Sequence, residues 1–384
     1  MTIADTRTTR TEATGRGVRN QPTEGESHAQ PRSRRLWLAA ASTMFQTSDG
    51  KPGVRKLIID TDPGVDDSWA ILLALRSPEV EVIGITSLFG NVRTKMATQN
   101  ALFLMEKFGR PDIPVVEGSL TSIIGGEKER IADFVHGDDG FGNTNQAKPT
   151  LTAVEGKTAA DFIVEKANEF PGQVTVVAMA SATNVALALR QDPGIKHKLH
   201  EIVHLAGAFF VNGNVNPCAE ANAFGDPEAA DELYGSGARV TVIGLDVTQK
   251  LVTTTRDIEA MRPANHPHTN FLYQISQFYM QFHRDTVRQE GIFMHDPAAI
   301  LLAFRKDLFR CKLGRVRVAT EGLCRGQTVM DAGAKLWSFP NKWTEHSRPP
   351  VEVALDVDAA GAARVFRARF GITSKWLGWL NRLR

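Results

Sequence analysis

"KLIIDTDPGVDDSWAILLALRS", residues 56–77, runs from an apolar segment through a crowd of acids into a second apolar segment. "KLIID" is continuously apolar and stops at an aspartate, the pattern of a parallel strand covered on both faces. Beyond the Pro63-Gly64 turn, Asp66, Asp67 and Ser68 open a stretch in which Trp69, Leu72, Leu73 and Arg76 keep helical spacing. Acids at that point suit a helix N-terminus. Asp60, Asp62, Asp66 and Asp67 crowd four carboxylates into eight positions. Like charges that close, in a poorly hydrated site, repel by several kcal/mol unless protons or a cation intervene. A hard divalent metal is the first candidate.

Outward from this stretch, apolar runs alternate with helical patterns. "VEVIGITSLFG" (80–90) reads as a strand, "TKMATQNALFLMEKFG" (94–109) as a helix ended by Gly109, and "IPVVEG" (113–118) as a strand. "VTVVAMAS" (174–181), "TNVALALRQ" (183–191), "EIVHLAG" (201–207) and "RVTVIGLDV" (239–247) continue the alternation. Such succession predicts an α/β fold: an open, mostly parallel Rossmann-like sheet with helices on both faces. "HTNFLYQISQFYMQFHRDTVRQ" (268–289) and "HDPAAILLAFRKDLF" (295–309) read as helices. "RVRVATEG" (315–322) and "PVEVALDV" (350–357) read as a small antiparallel C-terminal addition. With no internal repeat and no clear linker, residues 51–384 read as one domain.

Residues 1–50 differ. They are rich in Thr, Arg, Gly and Ser, with too few large apolar side chains to offset the entropy of ordering, so a disordered extension is expected. Organelle targeting is the alternative, against which stand Asp5, Glu12, Glu24 and Glu26. The 45 basic and 43 acidic side chains leave a formal charge of +2, so no nucleic-acid footprint is present. No run approaches the roughly 18 apolar residues of a membrane span, and "LWLAAA" (36–41) is short and far from Met1. Three cysteines, Cys218, Cys311 and Cys324, are too few and scattered for a disulfide framework or zinc site. They fit a reducing, cytoplasmic location. At the C-terminus, Trp376, Leu377, Leu380 and Leu383 share one helical face. That face would dock onto the core or a neighbouring subunit, or lie on a membrane surface.

In an open parallel sheet, ligands collect outside the carboxyl ends of the strands. Asn91 in "FGN" (89–91), "SATN" (181–184) and "NGNVNPCAEAN" (212–222) all fall there, as the acid cluster does. Asparagines and glycines also form turns, so a purely structural role stays open for them. From Lys56 to Gly371 the chain resembles the calcium-dependent nucleoside hydrolases. Four ordered blocks carry the likeness: D-x-D-P-G-x-D-D at 60–67, "FGN", "NPCAEAN" followed by "GDPEAA" (225–230), and "MHDP" (294–297).

The resemblance implies hydrolysis of a small-molecule ribonucleoside to ribose and free base, with Ca2+ as cofactor. It implies Asp62, Asp67, Asp296 and the Met179 carbonyl as metal ligands, although "AMASATN" here departs from the family's "TGPLTN"-like stretch. Calcium suits such a set because it takes six to eight oxygens in flexible geometry. Asp62 would be general base towards a metal-held water beneath C1′. Asp66, Asn91, Asn214, Glu220 and Asn222 would bind ribose hydroxyls, and Asp60 would orient the loop. His295 would assist the leaving base, its charge switching near neutral pH. Tyr279 and His283, four apart on one helix face, would contact the base or simply pack. Phe141 would wall the base pocket, and His136 in "VHGDDGFG" (135–142) would ride a closing loop. Asp296 before Pro297 would also serve as a helix N-cap.

Relatives form dimers or tetramers, so a homodimer or homotetramer is expected. Base preference stays open. Two rivals remain at this point: a haloacid-dehalogenase-type phosphatase, which also places D-x-D after its first strand, and a non-catalytic nucleoside-binding relative.

Overall fold

In the computed structural model, residues 53–372 are described apart from 127–129, 263–265, 336, 340, 342 and 344–347. The expectations for residues 1–50 and for the apolar face after residue 375 therefore lie outside the described residues. The opening stretch forms β1 (Arg55–Thr61) and α1 (Val65–Leu75). Leu57 and Ile59 enter one apolar core and Ile58 the other, which is why the strand lacks polar alternation. α1 is buried from Val65 to Ala74. Trp69 pins it: the indole donates to Ser276 Oγ at 3.0 Å and meets the Phe370 ring edge-on at 4.7 Å.

The chain continues through β2 (Val80–Ser87), α2 (Thr94–Lys107), β3 (Val115–Glu117), α3 (Ala159–Glu169), β4 (Val174–Ala178), α4 (Thr183–Gln191), β5 (Glu201–Leu205), α5 (Pro227–Gly235) and β6 (Val240–Ile243). After β7 (Val252–Thr253) come α6 (Pro267–Phe282), β8 (Ile292–Phe293), α7 (His295–Phe304), β9 (Phe309–Val318), β10 (Thr328–Asp331), β11 (Val351–Val357) and α8 (Ala359–Phe370). α2 stops where Gly109 takes φ +72°, the left-handed conformation that glycine adopts without strain. α6 ends at Phe282, earlier than its sequence pattern predicts, and passes into one wide turn over 283–287.

Among the described residues, nine strands form one sheet in the order β10-β9-β11-β6-β5-β4-β1-β2-β3. The seven strands from β11 to β3 run parallel, and β9 and β10 run antiparallel at the edge. The expected antiparallel C-terminal addition is present: β11 pairs antiparallel with β9, and it also pairs parallel with β6, which joins the addition to the main sheet. One core holds α1, α2, α6, α7 and α8 against the sheet, and the second holds α3, α4 and α5. Among the described residues no helix is long and apolar enough to cross a membrane. From β1 the chain winds outward to β2 and β3, then returns to β4 and winds the other way. The carboxyl ends of β1 and β4 thus flank a topological switch point, where such sheets bind ligands.

Candidate active site

β1 delivers Asp60 and Asp62 to that switch point, and the first turn of α1 delivers Asp66 and Asp67. The first turn of α7, packed against α1, brings Asp296. Carboxylate oxygens of Asp66, Asp67 and Asp296 lie within 4.8 Å of one another, and all three residues are buried. Two helix N-termini therefore face the cluster and partly offset its charge. Asp67 is held by the Gly64 amide at 2.8 Å, the Asn91 side-chain amide at 2.9 Å and the Thr61 hydroxyl. Asp62 Oδ2 accepts the Asn91 backbone N–H at 2.5 Å. A Cβ at position 90 would fall 1.7 Å from that oxygen, so only glycine lets the "FGN" turn approach so closely.

Burial dominates the electrostatics. It pushes Asp66 up to about 7, with Asp67 adding to the shift, and it raises Asp67 against the pull of Thr61 and Gly64. Asp296 is driven well above the carboxylate range by burial, then by Asp66, Asp67 and Asp62. Asp60 rises to about 7 by burial, despite hydrogen bonds from the Asn184 side chain at 2.8 Å and Thr86 at 2.5 Å. The groups acting most strongly on Asp66, Asp67 and Asp296 are neutral donors and further carboxylates. His136 Nδ1 lies 3.8 Å from Asp66 and accepts the Val65 N–H at 3.2 Å. Asp66 Oδ1 and Asp60 Oδ2 are buried with no hydrogen-bond partner. Protons, or a cation from outside, must neutralise this cluster. An all-oxygen, anionic donor set fits a hard divalent cation.

Met179 follows β4, and its carbonyl accepts the Asn222 side-chain amide at 2.8 Å. A second lone pair on that oxygen is left for a ligand. The same Asn222 amide also reaches the Leu205 carbonyl at 2.9 Å, tying the ends of β4 and β5 together. Glu220 caps the short helix Ala221–Gly225 through the amides of Asn222 and Ala223, and it holds the Gly207 amide at 2.9 Å. Asn214 is exposed, its carbonyl oxygen accepting the Ala221 N–H at 2.9 Å. The turn-forming role of the loop asparagines is real for Asn216, whose side-chain oxygen accepts the Cys218 and Ala219 amides.

On the far side, the Tyr279 hydroxyl donates to Asp66 at 3.1 Å, and its ring stacks on His136 with centroids 5.3 Å apart. His283 shares the helix face but not the role. Its Nδ1 bonds the Tyr279 carbonyl at 2.9 Å while Nε2 accepts the Phe293 N–H at 3.2 Å, leaving neither nitrogen for a base. Phe141 is likewise corrected: it is buried against Phe103 and Phe271 in the core. His295 Nδ1 meets the Thr248 hydroxyl at 2.7 Å. Burial, then His283, lowers its pKa to about 3, so it is neutral across physiological pH and is not the expected switch. Met294, not Asp296, occupies the N-cap of α7, and the Asp296 carboxylate turns into the acid cluster.

Sequence reasoning missed the supports. Thr61, Thr86 and Asn184 hold the aspartates, Thr248 holds His295, and Asp246 accepts the Phe209 and Phe210 amides at 2.8 Å each. Only Asn184 carried a signal, its position in "SATN" at a strand end.

A family model described as inosine-uridine preferring nucleoside hydrolase matches residues 57–364. Probable uridine nucleosidase 1 of Oryza sativa subsp. japonica is 48% identical over 303 residues, 79% of this chain and 92% of the relative. Uridine nucleosidase 1 of Arabidopsis thaliana is 45% identical over 314 residues, 82% of this chain and 92% of the relative. Among solved structures, a plant nucleoside hydrolase matches with a TM-score of 0.80 at 45% identity, covering 83% of this chain and 99% of that one.

Proposed function

The chain belongs to the inosine-uridine preferring nucleoside hydrolase family and hydrolyses ribonucleosides, and we propose that uridine is its preferred substrate and calcium its metal. Family membership removes the phosphatase alternative. The observation that carries the metal assignment is the buried cluster of Asp66, Asp67 and Asp296, each carboxyl raised by burial, and Asp66 and Asp296 by their acidic neighbours as well. Asp62, Asp67, Asp296 and the Met179 carbonyl would hold the ion. Bound calcium would polarise the attacking water and take up ribose hydroxyls.

The chain's own residues do the rest. Asp62, fixed at one oxygen by the Asn91 amide, accepts the proton that the water loses. Asp66, Asn91, Asn214, Glu220 and Asn222 bind the ribose. The negative field of the cluster favours the cationic sugar that forms as the C–N bond breaks. His136 and Tyr279, stacked beside Asp66, form the wall at the base side. Nδ1 of His295 is engaged by the Thr248 hydroxyl, and in the tautomer that takes the hydroxyl as donor the ring would offer Nε2–H to the departing base. The proposal also takes residues 51–384 as one hydrolase domain in a cytoplasmic homodimer or homotetramer, which light scattering and fractionation test.

His295→Gln should slow uridine hydrolysis by about 100-fold or more, yet slow a nitrophenyl riboside far less, because nitrophenolate leaves without a proton. Equal losses on the two substrates would remove His295 from leaving-group assistance. For base preference, the names of the two plant relatives support uridine. kcat/KM for uridine should exceed that for inosine by at least tenfold, roughly 1.4 kcal/mol of discrimination. The reverse order would overturn the uridine assignment.

A further inference from the structure

Two cysteines far apart in sequence meet beside the loop that carries Asn214, Glu220 and Asn222. Cys218 Sγ lies 3.5 Å from Cys324 Sγ, across 106 residues of chain, and both side chains are half-buried. The backbone holds this contact from both sides. Ala219 and Gln327 form an antiparallel bridge, and the Thr328 hydroxyl bonds both the amide and the carbonyl of Ala208, at 3.0 and 3.1 Å. Asn216 fixes the amides of Cys218 and Ala219 at 2.8 and 2.9 Å. Gly326 takes φ +84°, and a Cβ there would press on Phe224 and Ala219. A disulfide needs its sulfurs about 2.0 Å apart, so closure asks for a shift of about 1.5 Å.

We propose that Cys218 and Cys324 form a reversible disulfide that staples the loop around residues 208–222 to the segment before β10. The oxidant is a small-molecule disulfide of the glutathione class. One cysteine thiolate attacks it and expels a small thiol; the second thiolate attacks the resulting mixed disulfide and expels another. Two protein S–H groups are oxidised, one external S–S bond is reduced, and the two protons leave on the released thiols. Cys311 is the internal control, since it sits in β9 opposite Ala354 and outside the Cys218–Cys324 contact. The bond is independent of the substrate assignments. Its effect on turnover rests on the proposed ribose role of the loop: Glu220, two residues beyond Cys218, holds Gly207 and the short helix that carries Asn222.

The test treats the full chain with oxidised glutathione, then with dithiothreitol, and reads thiol count, peptide map, melting temperature and uridine kinetics. Free thiols should fall from three to one, with a peptide joining 218 to 324. The melting temperature should rise by about 5 °C, as a long closed loop predicts. KM for uridine should rise about fivefold, and dithiothreitol should reverse every change. Cys311→Ser should behave as wild type, whereas Cys218→Ser and Cys324→Ser should each carry a glutathione adduct and no cross-link. Three surviving thiols, or adducts on both cysteines of the wild type, would overturn the bond. A cross-linked protein with unchanged KM would overturn its coupling to the site. Uridine turnover by the reduced protein tests the hydrolase assignment separately.

Discussion

Asp62→Asn lowers kcat for uridine by about 100- to 10,000-fold while the protein stays folded, the range that loss of a positioned general base produces. The amide matches the carboxylate in size and can still accept the Asn91 backbone N–H, so the "FGN" turn keeps its approach through Gly90. What it cannot do is take a proton from water. Asp62 also adds to the repulsion that raises Asp296, so removing its charge relieves the cluster and leaves the melting temperature equal or higher. Because Asp62 is also a proposed ligand, kinetics are measured at saturating calcium with bound calcium quantified. A variant that binds calcium and keeps turnover within tenfold of wild type would remove Asp62 as the base.

Cation-depleted protein loses stability as pH rises, and calcium restores it most at alkaline pH. Asp60 and Asp66 sit at about 7 in the folded chain against 3.8 for an ordinary aspartate, and Asp67 and Asp296 are raised too. A carboxyl that binds its proton more tightly when folded stabilises the fold below about pH 4. That contribution fades as pH climbs through the folded value near 7, because ionised carboxylates are then forced together. Each tenfold change in proton affinity is worth about 1.4 kcal/mol, so the loss over this interval is on the order of several kcal/mol. Calcium competes with those protons and binds more tightly once they leave. The rise in melting temperature caused by calcium should therefore be small at pH 5 and larger by several degrees at pH 8. A rise independent of pH would place the ion away from these aspartates.

The lines of the fold that were legible are those whose period or punctuation reports directly on burial. The unbroken run of β1, the acids behind it and the helix of α1 need only neighbours in sequence, and the alternation beyond them marks a doubly covered sheet. The grouping of Asp66, Asp67 and Asp296 was legible because their blocks fall at helix starts beside a strand end. The antiparallel pairing of β11 with β9 was legible, but its parallel pairing with β6 was not, since an apolar strand carries no mark of which edge it joins. The 3.6-residue spacing put Tyr279 and His283 on one face, yet it could not say that His283 spends both nitrogens on backbone groups.

His295 misled for a related reason: its solution pKa predicts a switch near neutral pH, and only its burial beside His283 makes it a weak base. Supports were the least visible. The Asn184 amide on Asp60 spans 124 residues, and the Thr248 hydroxyl on His295 spans 47. Contacts made across such distances leave no local pattern. Threonine within a strand, such as Thr86, looks the same whether it fills space or holds a carboxylate.

The most direct measurement is release of free reducing sugar from uridine, first with the protein as purified, then after chelation, then after calcium is added back. Sugar should appear, fall to background with the chelator, and return with calcium but not with chelator-saturated buffer. Undiminished release after complete removal of bound metal would contradict the central claim that the buried aspartates work by holding a cation.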